Sequence, residues 1–204
     1  MSIILIRHGE TALNAARVLQ PADTPLNDKG IAQAQSLARR LAGLPIAAIL
    51  SSDMPRAMMT AQPLSQAIGL PIATSQLLHE RNFGDLRGRS YDELDIDPMA
   101  EGYAPPAGES WDVFRARVAQ AFAQVIATRA SSTGTLAVVS HGLVIKAMLE
   151  THLRLADGAE LPERMANTSV TIVDASAPHQ VRLMNCDAHL EGVIADDARA
   201  LSGF

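Results

Sequence analysis

Cysteine is almost missing from this chain. One occurs in 204 residues, Cys186, which rules out an internal disulfide framework and fits a reducing compartment. Aromatic residues are scarce too: one tryptophan, two tyrosines and four phenylalanines disfavour a surface that stacks bases or sugars. Positive charge does not dominate, and a formal net charge of -5 argues against the basic face of a nucleic-acid binder. No segment approaches the ~20 consecutive apolar residues that span a bilayer. The first residues lack a basic leader followed by a long apolar run and a cleavage site, so no signal peptide is read. The histidines show no zinc spacing such as His-Glu-x-x-His, which disfavours metal catalysis. The expectation is a cytoplasmic protein without membrane or nucleic-acid partners, and with no cofactor.

What remains is an ordinary globular composition, 48% hydrophobic and 19% charged, in a chain long enough to bury a sizeable core. Apolar runs at Ile3–Ile6, Ile46–Leu50, Thr135–Val139 and Val170–Val173 read as strands, with Val181–Met184 as a fifth. Helical patterns lie between them. Asn27-Asp28-Lys29-Gly30 opens one, carrying Ile31, Ala34, Leu37, Ala38 and Leu41 on its apolar face. A second runs from Pro55 to Ile68, stopped by Gly69 and Pro71. Ser110 caps a third, whose apolar face takes Val113, Phe114, Val118, Phe122, Val125 and Ile126, and a fourth covers Leu143–Leu153.

Strands alternating with helices imply an α/β fold, a three-layer α/β/α sandwich around a mostly parallel central sheet. One domain is expected over residues 1–204. The stretch 87–108 is rich in proline, glycine and acidic residues, and reads as a lid-like excursion from that domain. In such sheets, active sites gather at the carboxyl ends of strands. His8 and His141 both sit at such ends.

The stretch richest in chemistry is Arg7-His8-Gly9-Glu10-Thr11 with Asn14. An arginine offers a planar fork of donors suited to phosphate oxygens. A neutral imidazole beside it can attack phosphorus. Gly9 would let the backbone approach a bound oxyanion. The plainer alternative is a turn carrying a solvent-exposed Arg-His pair. Arg56 falls in the first turn of the second helix, near its positive dipole end; alone it would be read as a surface arginine. Ser140-His141-Gly142 repeats the strand-end histidine, and its plainer reading is a histidine that caps a turn.

Together these residues resemble the histidine phosphatase superfamily, in its phosphoglycerate-mutase-like branch. The resemblance runs through Leu5 to Thr11 with Asn14, Pro25 to Gly30 with Gln33-Ala34, and Ser51-Ser52-Asp53 with Arg56-Ala57 and Thr60-Ala61. It continues through Leu78 to Gly88, Gly108-Glu109-Ser110, Val138 to Gly142, Asn167-Thr168-Ser169, and Asn185 with His189-Leu190. It implies roles. His8 would take the phosphoryl group, and Arg7, Arg56 and a protonated His141 would grip its oxygens. Asn14 and the backbone N–H of Gly142 would add donors, and Arg81 and Arg87 are possible substrate contacts. Glu80 would protonate the leaving alcohol and then activate water. The cations should depress the pKa of His8, while burial raises that of Glu80 against their pull.

Other residues read as structural. Glu10 orients its loop, His79 packs or sits in a loop, His152 and His179 lie at the surface, and His189 supports the site from behind. Cys186 has no basic neighbour in sequence and reads as a small packing residue. Met54, Met58 and Met59 read as core and helix packing.

The resemblance leaves the reaction open between hydrolysis and isomerisation. Mutases of this branch carry a tryptophan and charged residues after the first motif, whereas Ala16 to Thr24 has no tryptophan and one basic residue. The excursion is acidic rather than cationic. The preferred reading is a metal-independent phosphomonoesterase acting on a small phosphorylated metabolite. The alternatives are a cofactor-dependent phosphoglycerate mutase and a catalytically silent phosphate-binding or regulatory domain. A homodimer is the default assembly.

Overall fold

The structure is a computed structural model that describes residues 1–190; the last part of the expected domain lies outside the described residues. In chain order the elements are β1 (Ser2–Arg7), α1 (Ala12–Ala15), α2 (Asp28–Leu41), β2 (Ile46–Ser51), α3 (Pro55–Ile68) and β3 (Ile72–Thr74). Then follow α4 (Trp111–Ala130), β4 (Thr135–Ser140), α5 (Gly142–Thr151), β5 (Val170–Asp174) and β6 (Val181–Cys186). The caps sit where side-chain chemistry places them. Asn27 Oδ1 accepts from Gly30 N at 2.8 Å and Ser110 Oγ from Val113 N at 3.3 Å, each satisfying an orphan donor of a first turn.

The strands form one sheet in the order β3-β2-β4-β1-β5-β6. β1, β2, β3 and β4 are mutually parallel, while β5 is antiparallel to both its neighbours. One strand is therefore reversed in an otherwise parallel sheet. Along β1 the side chains alternate between two cores. Ile3 and Leu5 join Leu136, Val138 and the Phe114 face of α4. Ile4 and Ile6 join Ala137, Val139 and the α2 and α3 residues Leu37, Leu41, Ala57 and Leu64. Period-two alternation with both sets apolar is the mark of a sheet covered on both faces. The three-layer sandwich is thus the observed architecture. Truncating a fully buried residue such as Phe114 would cost about 3–5 kcal/mol.

Four details differ from the pattern reading. β3 has three residues, none of them buried, too few to show alternation. α1 has four residues and is held by Thr11 and Asn14 rather than by apolar spacing. The fourth helix ends at Thr151, before Leu153. Ile31 and Val113, expected on apolar faces, are 38% and 57% exposed. The buried stripe of α4 is Phe114, Val118, Ala121, Val125 and Arg129, and Val113 lies off it. In α2 the place beside Ala34 is taken by Gln33, whose Oε1 accepts from Glu10 N at 2.8 Å.

The excursion is pinned at the end nearest the site. Gly88 N donates to Leu19 O at 2.7 Å, Leu19 N to Arg89 O at 3.0 Å and Tyr91 N to Arg17 O at 2.8 Å. This short ladder ties it to the loop after α1. Among the described residues, no helix is long and apolar enough to cross a membrane.

Candidate active site

The parallel register decides where the polar residues meet. Arg7 pairs with Ser140 and Ser51 with Val139, so three neighbouring strands end level. His8 N then donates to Ser140 O at 3.0 Å and Ser52 N to Val139 O at 2.9 Å. The residues that leave the sheet there are His8, His141 and Ser52. The two imidazoles lie 5.1 Å apart between ring centroids, with planes at 59°.

His8 is buried, and its Nδ1 lies 2.7 Å from Gly9 O. A carbonyl only accepts, so Nδ1 carries the proton and Nε2 keeps the lone pair. Burial, reinforced by the Arg56 and Arg7 cations, holds this imidazole well below its usual pKa and therefore neutral. Its loop is fixed from both sides: Gly9 N donates to Thr60 Oγ1 at 2.9 Å and Asn167 Nδ2 to His8 O at 3.0 Å.

Arg7 and Arg56 are both buried beside it. Arg7 Nη1 donates to Met165 O at 2.5 Å. Arg56 Nη1 donates to Pro21 O at 3.2 Å, Nη2 contacts Met54 Sδ at 3.2 Å, and Nε is buried without a partner. Among the described residues no carboxylate is bonded to Arg56. Burial lowers its pKa to about 10, with Glu80 opposing. A buried cation held by neutral acceptors is prepared for an incoming anion.

Glu80 lines the same pocket as Arg7, His8 and Arg56. Its Oε1 accepts from Arg81 N at 3.0 Å and its Oε2 from Leu143 N at 3.2 Å. Burial raises its pKa, against those two N–H groups and the charges of Arg56 and Arg7. His141 differs from expectation. Burial, then Arg56 and the neighbouring histidines, push it well below its usual value, so it is neutral rather than a third cation. Its Nε2 lies 2.9 Å from Ser52 Oγ, and its buried Nδ1 has no partner.

Residues 3–187 match the family described as histidine phosphatase superfamily (branch 1). The chain belongs to that superfamily. Proteins of Yersinia pestis and Yersinia pseudotuberculosis named probable phosphoglycerate mutase GpmB are 36% identical over 184 residues, covering 85% of each chain. Among solved structures, Bacillus stearothermophilus YhfR superposes with a TM-score of 0.80 at 30% identity, covering 93% of this chain and 99% of that one. A mycobacterial glucosyl-3-phosphoglycerate phosphatase gives 0.73 at 27%, covering 85% and 90%. A putative alpha-ribazole-5'-P phosphatase from Escherichia coli gives 0.77 at 26%, covering 92% and 97%.

The fold places the remaining candidates of this superfamily member unequally. Gly142 opens α5 directly behind His141 and is buried. Asn14 is fully buried, but its Oδ1 accepts from Thr11 N at 2.5 Å and its Nδ2 reaches Asn167 Oδ1 at 3.3 Å. Its polar groups build the loop behind His8. Arg81 lines the same pocket as His8, but most of its donors are already engaged. Its guanidinium donates to Pro98 O at 3.0 Å, Tyr103 O at 2.7 Å and twice to Glu109 O, and it stacks 3.9 Å from the Trp111 ring centroid. Four of its five donor hydrogens are committed to carbonyls, so it anchors the excursion.

Gly9 also has another reason to be glycine. A Cβ there would lie 2.7 Å from Gly30 O, and one on Gly30 would lie 2.0 Å from Glu10 O. The loop carrying His8 rests directly on the first turn of α2, and the contact at this position is with protein backbone. Glu10 holds that contact as expected, bonded to Asn27 Nδ2 at 2.9 Å and paired with Lys29 at 3.0 Å. His79 pairs with Asp53 of the β2–α3 turn. His152 and His179 both pack on Phe122 and are only partly exposed. Met54 reaches the pocket wall.

His189 braces the site from behind, reaching Thr168 Oγ1 and Arg40 Nη1 at 3.0 Å each, and burial beside Arg40 lowers it to about 4. Cys186 does have a basic neighbour: Arg40 Nη2 lies 3.1 Å from its Sγ, and against the effect of burial the Ala188 backbone N–H, then Arg40, hold the thiol below its usual value. That neighbour comes from α2, far away in sequence. Ser52, Thr60, Met165 and Asn167 received no individual roles from sequence. Three of them stood within the quoted motifs, but only the fold shows what each touches.

Proposed function

We propose that this protein is a phosphomonoesterase that works without a metal, through a phosphohistidine on His8. The observation that carries the reading is the bond from His8 Nδ1 to Gly9 O, which leaves a neutral Nε2 in the pocket that Arg7, Arg56 and Glu80 also line. In the first step the Nε2 lone pair attacks phosphorus and the ester P–O bond breaks. Its electron pair goes to the leaving oxygen, which takes the Glu80 proton. In the second step Glu80 removes a proton from water, the water oxygen attacks phosphorus and the P–N bond breaks. Arg7 and Arg56 offset the charge on the transferring group in both steps. Glu80 can start protonated because burial raises its pKa.

The Yersinia relatives named as probable phosphoglycerate mutases favour a second reading, isomerisation. Two other similar structures are named as phosphatases, one of them as putative, which supports hydrolysis. Two measurements test the proposal. Enzyme quenched in base after brief incubation with substrate should carry one phosphoryl group, on His8; finding it on His141 reverses the two roles. With 3-phosphoglycerate, phosphate release should occur without a bisphosphoglycerate primer. Primer-dependent 2-phosphoglycerate formed far faster than phosphate would establish the mutase instead.

A further inference from the structure

We infer that the site is built for monoesters whose alcohol half has an apolar body and a second anionic group, and that Arg87 binds that group. The inference rests on the hydrolase reading above and names its substrate class. Arg87 lines the pocket that contains Arg7, His8, Arg56 and Glu80. It is half-buried, and no hydrogen bond or ion pair engages its guanidinium among the described residues. It lies close enough to Arg56 for their charges to repel.

Its backbone is held in place. Arg87 N donates to Gly84 O at 3.2 Å, and the next residue, Gly88, begins the ladder to Leu19. The side chain therefore starts from a fixed point on the wall, so less entropy is lost when it meets a ligand.

Charge accounting points the same way. A phosphate ester carries close to two negative charges, which Arg7 and Arg56 match. Glu80 is neutral while it serves as the acid, and His8 and His141 are neutral because of burial. Arg81 has four of its five donor hydrogens on carbonyls, and Glu109 beside it is paired with Arg117. Arg87 is left as the cation whose donors are uncommitted, at the wall of a partly enclosed site, where a complementary anion is worth more than in open water. The chemistry of the walls completes the class. Beside its charged residues and Gln20, the same pocket is lined by Val18, Leu19, Met54, Phe83, Tyr91 and Met99. A polar chain such as glycerate would leave these side chains uncovered, whereas an aromatic or aliphatic body would bury them.

The test uses two non-hydrolysable ligands of matched shape, 4-carboxybenzylphosphonate and 4-carbamoylbenzylphosphonate, with Kd measured by calorimetry. The readout is the ratio of the two Kd values, which cancels any effect of Arg87 on the phosphonate common to both. The carboxylate should bind on the order of tenfold more tightly, as for a charge-assisted contact, and Arg87→Gln should bring the ratio close to one. A ratio near one in the unmodified protein, or a preference that survives Arg87→Gln, overturns the inference. The corresponding 4-carboxyphenyl and 4-carbamoylphenyl phosphates are then assayed for turnover. If neither is hydrolysed while the binding ratio holds, the hydrolase reading fails and the anion site stands.

Discussion

Arg117 grips Glu109 through two parallel hydrogen bonds, Nε to Oε1 at 2.8 Å and Nη2 to Oε2 at 2.7 Å. The same guanidinium donates through Nη1 to Leu77 O at 2.9 Å and His79 O at 2.7 Å, and Glu109 Oε2 accepts from Asn82 N at 2.8 Å. The pair thus holds the backbone on both sides of Glu80, and is a positioning device for the proposed acid. Arg117→Ala should lower kcat for alkyl phosphates by about 10–100-fold while largely sparing p-nitrophenyl phosphate, whose leaving group needs no proton. Arg117→Lys should rescue poorly, because an ammonium cannot reproduce the fork. Equal losses for both esters would reduce the pair to a purely structural role.

Arg56 should contribute more to the transition state than to folding. Its Nε is buried without a partner, so the folded protein already carries the cost of that desolvation. Arg56→Ala should cost about 3 kcal/mol in kcat/KM, the scale of a lost charge-stabilising donor. Vanadate inhibition should weaken in parallel, and unfolding midpoints should stay level or rise. Chelators should leave turnover unchanged; loss on chelation with recovery on adding a divalent ion would defeat the metal-free proposal.

The pH profile follows from two opposite shifts. His8 must be neutral to attack, and its pKa lies well below the usual 6.5, so activity should persist as pH falls through the normal imidazole range. Glu80 must be protonated to serve a poor leaving group, and its pKa is raised above 4.5. Turnover of alkyl phosphates should therefore fall as pH rises through that raised value. Profiles of kcat/KM against pH should show this basic limb with alkyl phosphates and a much weaker one with p-nitrophenyl phosphate. Identical limbs for both esters would assign the limb to another group.

Gly30→Ala tests the seat of the His8 loop. The added Cβ would lie 2.0 Å from Glu10 O, and backbone on both sides leaves no side chain to swing aside. The variant should lose about 1–3 kcal/mol of stability, as for overpacked sites, and its kcat should fall because the loop shifts His8. Thermal unfolding and turnover measured together check both effects. A variant with unchanged melting and activity would show that the loop can slide away freely.

Element type was legible wherever a segment was long enough to show an apolar run or a helical period. β1, β2, β4, β5 and β6 and helices α2 to α5 were readable for that reason, and Asn27 and Ser110 marked two helix starts by capping chemistry. β3 and α1 are too short to display one. Ile31 and Val113 were misplaced because a helical period gives a face but not its angular width. The reversed direction of β5 could not be read either, since the four-residue run Val170–Val173 looks the same in both directions.

His8, His141, Arg7 and Arg56 were legible as candidates because each type of side chain suits phosphoryl transfer and each sits at a strand or helix end, whereas Glu80, in a loop, was legible only through the family resemblance. Their states were not. The neutrality of His141 comes from complete burial beside Arg56 and His8, and neither burial nor distance is written in a chain of letters. Arg81 and Arg87 are equally basic in sequence, yet carbonyls of Pro98, Tyr103 and Glu109 occupy one, while the other lines the pocket with its guanidinium unengaged. Local chemistry, spacing and caps determined the elements and the inventory of reactive groups. Register and long-range packing decided which of those groups are buried, which are already satisfied and which face the pocket. Such contacts join residues far apart along the chain, and their energies exist only once the fold has brought them together.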